Sequence, residues 1–191
     1  DGETGALFAA VAEAAVRGGL SSFNAQDLAN TIWAFATAGQ PAPALLNAIA
    51  AVAVPRLREF NAQDLANTAW AYATANHAAP ALLNAIAAAA VPRLRDFKPQ
   101  ELANTAWAFA TAGHKAPALL DAIAAEAAPR LREFNPQNLT NTAWAFAVAD
   151  HVAPALFDSD AFVQWCVAER SFVTEHLCQL HQWQLWREER G

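Results

Sequence analysis

Four asparagines recur at one interval: Asn30, Asn67, Asn104 and Asn141, each 37 residues after the last. Each sits in a copy of one apolar phrase, "ANTIWAFA" in the first and "TNTAWAFA" in the fourth. A side-chain amide donates and accepts at once, so it can bond a base edge on two sides, as at adenine. Three residues earlier runs a second row, Asp27, Asp64, Glu101 and Asn138. It is the one polar position that varies noticeably between copies; carboxylates there repel phosphate but accept from a cytosine amino group. A third row is basic. Arg56, Arg58, Arg93, Arg95, Arg130 and Arg132 are six of the twelve Lys and Arg residues, two to each copy. Stacked copies line them along one edge, where they would meet phosphates. These fourteen residues form the candidate nucleic-acid-binding set.

The asparagine row has two readings. Each amide bonds a backbone carbonyl or the next amide and fixes the stacking register, or the row meets a ligand. On a helical wheel Leu28, Ala29, Ile32, Trp33, Phe35 and Ala36 fill a packing arc, with Asp27, Asn30, Thr31, Ala34 and Thr37 opposite. Ala34, Ala71, Ala108 and Ala145 then keep the polar surface low and open. Trp33, Trp70, Trp107 and Trp144 fall at the boundary of the packing arc and read as core, although base stacking is the functional alternative. His77, His114 and His151 read as exposed turn residues. Units spaced by about 8–10 Å hold them too far apart for one metal. Cys178 and His181, i and i+3 on a helix, lack a further pair of ligands. No metal or cofactor is expected. Without a nucleophile triad, phosphate loop or paired carboxylates, the chain is not expected to be an enzyme.

The elements that must position these rows follow from the period. A repeat of about 20–50 residues marks a solenoid. Each copy has two helical halves. The first opens on an N-cap such as Asn24, with Asp27 three residues on, and stops at Gly39, Asn76, Gly113 or Asp150. The second, "PALLNAIAAVAVPRLRE" from Pro43, carries Leu45, Ile49 and Ala53 on one stripe. Pro55, Pro92 and Pro129 predict a break or sharp kink and then a short helical turn. The expected fold is an all-α, right-handed α-solenoid of about four hairpins. Residues 5–22 are a partial repeat, 23–59, 60–96 and 97–133 full ones, 134–171 a degenerate one, and 172–191 a capping or docking helix.

The net charge of −6 and pI of about 5.3 are a poor footprint for nucleic acid as a whole, although the arginine rows could still give a basic edge. Two cysteines make no disulfide framework, and no apolar run approaches the roughly 18 residues that span a bilayer. There is no Met, which points to a processed protein or a piece of a longer one.

With "NTAWAFA", the 37-residue period and the tail "LCQLHQWQLWREE", the chain resembles the octotricopeptide and heptatricopeptide repeats of organellar RNA-binding proteins. The tail is similar to the segment before a RAP domain in FAST-kinase-like proteins; the RAP domain itself would lie beyond Gly191. The resemblance implies a protein of the mitochondrial matrix or chloroplast stroma. Its ligand would be single-stranded organellar or ribosomal RNA, in stabilisation, processing, translation or ribosome assembly. The rival is a protein-interaction scaffold in an organellar ribosome or another large complex. The tail adds one expectation. Leu177, Leu180 and Trp183 cover one side of its helix, Cys178 and Leu185 the other, with Trp186 between. A helix apolar all round is buried on several sides, so Trp183 and Trp186 are expected to dock a partner absent from this chain.

Overall fold

The computed structural model describes residues 2–169 and 171–190; Asp1, Arg170 and Gly191 lie outside the described residues. These are all-helical, with no strand among them. In chain order the α-helices are α1 (Gly2–Gly18), α2 (Ala25–Thr37), α3 (Pro43–Ala53), α4 (Ala62–Thr74), α5 (Pro80–Ala90), α6 (Pro99–Thr111), α7 (Pro117–Ala127), α8 (Pro136–Val148), α9 (Pro154–Phe157), α10 (Asp160–Ala168) and α11 (Thr174–Glu188). Helices α2, α4, α6, α8 and α11 lie side by side in one layer, and the second helix of each hairpin packs behind its own first.

Local chemistry sets the ends of these helices. Asn24 Oδ1 accepts the Asp27 N–H at 2.8 Å while Asp27 Oδ2 accepts the Asn24 N–H at 3.0 Å, a reciprocal cap that Asn61 and Asp64 repeat. Each first helix of the repeats closes on a left-handed residue: Gly39, Asn76, Gly113 and Asp150 have φ between 49° and 62°. The Gln40 N–H reaches back to the Phe35 carbonyl and the Gly39 N–H to Ala36, which satisfies carbonyls the helix end would orphan. The prolines act as expected. Helix α3 ends at Ala53 and passes directly into a 3-10 turn, Val54–Glu59, and Val91–Asp96 and Ala128–Glu133 repeat it.

Between the layers lies the core. Leu45, Ile49, Leu82, Ile86, Leu119 and Ile123 are fully buried. Each contributes roughly 1.5–3 kcal/mol from burial. Adjacent units are also pinned by polar contacts. The turn histidines are not bare: His77 bonds Asn47 at 2.9 Å, His114 bonds Asn84 at 2.9 Å and His151 bonds Asp121 at 2.8 Å. Each ties its unit to the second helix of the unit before.

Candidate nucleic-acid interface

A first helix inside the layer has neighbours on two flanks and its own second helix behind it. In α4, after Gln63, only Asn67, Trp70 and Thr74 escape burial. Their spacing of four and three and four marks a single stripe along the free face. In α6 the same stripe is Gln100, Asn104, Trp107 and Thr111; in α8 it is Gln137, Asn141, Trp144 and Val148, with half-buried Ala147 beside it. The first unit presents Gln26, Asn30, Trp33 and Thr37, and Trp33 is 44 % exposed.

The wheel placed the asparagines on a free face, and the structure agrees; it differs on what surrounds them. Ala71, Ala108 and Ala145, expected on open surface, are fully buried, as are Thr68, Thr105 and Thr142. They are the flank that meets the preceding helix, and their small size lets the helices approach. Thr105 and Thr142 satisfy their hydroxyls by donating to the Glu101 and Asn138 carbonyls at 2.7 Å, while buried Thr68 Oγ1 has no partner among the described residues.

The tryptophans, expected in the core, rest one edge on it and turn outward beside the asparagines. Trp70 and Trp107 have ring centroids 6.4 Å apart, and Trp107 and Trp144 6.3 Å apart, with planes tilted by 30° and 28°. Asn141 Oδ1 accepts from Gln179 Nε2 of α11 at 2.9 Å. No hydrogen bond to described residues engages the side chains of Asn30, Asn67 or Asn104. The sequence read these tryptophans as core, with base stacking the alternative; the signal for the outward ladder was an Asn–Trp pair at i, i+3, neighbours on a helix surface, unchanged in every copy.

The acidic row lies elsewhere. Asp64, Glu101 and Asn138 are buried at the helix starts, where Glu101 Oε2 accepts the Lys98 N–H at 2.7 Å and the Asn138 N–H donates to Asn135. Only Asp27, at the open end of the layer, is exposed, and it too is engaged by Asn24. Burial raises the Asp64 carboxyl above its ordinary value, against the lowering effect of the Asn61 N–H. The row therefore caps helices.

The arginines divide. Arg56 Nη1 donates to the Phe23 carbonyl and Arg93 Nη1 to the Phe60 carbonyl, both at 2.9 Å, tying the end of each unit to its own start. Arg130 is held by Glu126 and Glu133 at 3.1 and 3.2 Å. Arg58, Arg95 and Arg132 are exposed. A shallow cleft of about 440 Å³ shows where the rows meet: Gln63 of the stripe, Arg93, Lys98 and Glu101 line it together. The basic row thus runs past the N-terminal ends of the first helices, beside the stripe and not within it.

Of the two rings expected to dock a partner, Trp183 is buried by the chain itself, whereas Trp186 is only half-buried. Trp183 is 8 % exposed and packs on Phe157 and Phe162 at 5.2 and 5.0 Å, with the Arg187 guanidinium over its ring. Its Nε1 is buried without a partner among the described residues. Trp186 Nε1 donates to Asp150 Oδ1 at 2.9 Å; that bond, with the Arg190 contact, lowers the Asp150 carboxyl. No cluster of His, Cys, Asp and Glu able to hold a metal occurs among the described residues, and no helix there is long and apolar enough to cross a membrane.

The family model for the RNA-editing substrate-binding complex 6 protein matches residues 5–173. The chain belongs to that family. No curated protein matches it. Membership in the RNA-editing substrate-binding complex 6 family overturns the resemblance to octotricopeptide, heptatricopeptide and FAST-kinase-like proteins. The match ends before α11 begins at Thr174. Family and fold together describe a helical-repeat protein of an RNA-related assembly.

Proposed function

We propose that this protein is a non-catalytic subunit of a mitochondrial RNA-editing substrate-binding assembly, and that it holds single-stranded RNA along the Asn–Trp stripe. The observation that carries this reading is the ladder of Trp70, Trp107 and Trp144 at 6.3–6.4 Å, extended by exposed Trp33. Indole faces are platforms for unpaired bases, worth roughly 1–3 kcal/mol per base. Amides beside them can bond the base edges. The family's printed description supports an RNA-editing setting, and editing assemblies of this kind favour the mitochondrion over the chloroplast. Stabilisation and processing of bound RNA fit a holding role.

The stripe carries no Lys or Arg, so phosphates are met only at its edge. With Arg58, Arg95 and Arg132 exposed in the basic row and exposed Lys98 beside them, about four phosphates are within reach of a cation. The slope of log affinity against log salt should then be no steeper than about −3, from roughly −0.7 per phosphate on a single strand. Fluorescence anisotropy with a labelled single-stranded RNA between low and moderate salt tests this. Binding with a shallow slope, weakened by Trp107→Ala, supports the reading; no binding at the lowest salt removes it. The rival scaffold role draws on the acidic net charge and on the spending of Arg56, Arg93 and Arg130 on the fold. It is favoured if partner proteins co-purify undiminished after ribonuclease treatment.

A further inference from the structure

We infer that the stripe takes a run of like bases, adenines, one to each unit. This rests on the RNA-binding reading above. A base-by-base code needs the reading side chains to differ between units. Here they do not: the free face offers Gln, Asn and Trp in the same order in all four units. Like subsites are filled together only by a ligand that presents the same group at each step. A nucleic acid does so through its backbone or through a repeated base. The stripe has no cation to meet phosphates, which leaves the bases.

Two features select adenine. The amide of Asn pairs bidentately with adenine N6 and N7, and Asn30, Asn67 and Asn104 are free to do so, with no side-chain hydrogen bond to described residues. Each stands one helical turn from an indole, Trp33, Trp70 and Trp107, on which the large purine face stacks. The ladder step of 6.3–6.4 Å is nearly twice the roughly 3.4 Å rise of stacked bases in a helical strand. A strand following the ladder is therefore drawn out, its bases separated from one another and each given its own ring. The fourth unit differs. Gln179 occupies the Asn141 amide, so Trp144 supplies stacking alone and accepts any base.

The test is anisotropy with labelled octamers of A, U and C and one octamer of mixed sequence, at one low salt concentration, on the full 191-residue chain. The A octamer should bind at least tenfold tighter than the other three. Asn67→Ala with Asn104→Ala should bring the A octamer down to the level of the U and C octamers measured on the same variant; Trp107→Ala should weaken all four alike. A melting temperature unchanged in the asparagine variant shows the loss to be one of contacts and not of fold. Equal binding of all octamers, or a preference for U or C, overturns the adenine assignment but leaves the RNA reading intact. If no octamer binds, the RNA reading falls too. Quenching of the indoles by an uncharged extended peptide under the same conditions would make the face a peptide groove and overturn both.

Discussion

Arg93 and Arg95 are two residues apart and formally alike, yet their removal should differ sharply. Arg93 donates from Nη1 to the Phe60 carbonyl at 2.9 Å, from Nε to Ala89 at 3.0 Å and, marginally, from Nη2 to Leu57 at 3.5 Å. A hydrogen bond from a charged group contributes about 1.5–3 kcal/mol when one partner is removed. Partial exposure of Arg93 and partial relief by water pull the sum down. We expect Arg93→Ala to cost about 2 kcal/mol. With a urea m-value of about 2 kcal/mol/M, the midpoint falls by about 1 M. Arg95 touches only Asp96, at 3.9 Å, with its side chain 83 % exposed. Arg95→Ala should stay within about 0.5 kcal/mol of the parent, as exposed substitutions do. Urea titrations followed by circular dichroism compare the two. If Arg95→Ala costs as much as Arg93→Ala, the division of the arginine row is wrong.

Burial raises Asp64, so between its ordinary carboxylate value near 3.8 and its higher folded value the native state binds more protons than the unfolded one. Stability from this group therefore falls as pH rises through that window. Asp64→Asn keeps an acceptor for the Asn61 N–H and should flatten that stretch of a stability–pH curve without loss at neutral pH; a steeper curve would refute the reasoning. Burial pushes the Cys166 thiol up to about 11, whereas Cys178 is exposed. A thiol reagent at neutral pH should thus modify Cys178 much faster, and Cys178→Ser should remove the fast phase. Trp183→Ala should destabilise the fold by about 3 kcal/mol or more in thermal melts. Trp186→Ala, losing a surface bond to Asp150, should cost less than half as much; comparable losses would mean that α11 is held differently.

How far the sequence could be read follows from what each residue type announces. The repeated caps, stops and prolines are local, and they placed the hairpins and the 3-10 turns. What failed was the assumption that a helix has one packed side and one free side. In a layer three sides are packed. Ala71 and Ala108 therefore fill a seam, and the tryptophans, too large for such a seam, are left on the only open side. The split between Arg56 and Arg58 was illegible for another reason. Beside Glu59, three residues on, Arg56 bonds the backbone carbonyl of Phe23, and a carbonyl leaves no mark on the identity of its residue. The capping role of Asp27 was visible at once, but its other role as a base reader was argued from position alone.

The indole ladder also makes the protein its own optical ruler. Three chromophores with 6.3–6.4 Å steps and planes tilted by 28–30° couple their electronic transitions, and the chiral frame that holds the rings makes that coupling optically active. The intact array should therefore show a far-ultraviolet exciton couplet that isolated tryptophans lack. Its amplitude depends on the spacing between adjacent units, because each ring is carried by a different hairpin. Any event that stretches, bends or shears the solenoid would change the couplet while helix content stays constant, so the intrinsic spectrum reports the mechanics of the stack without a label.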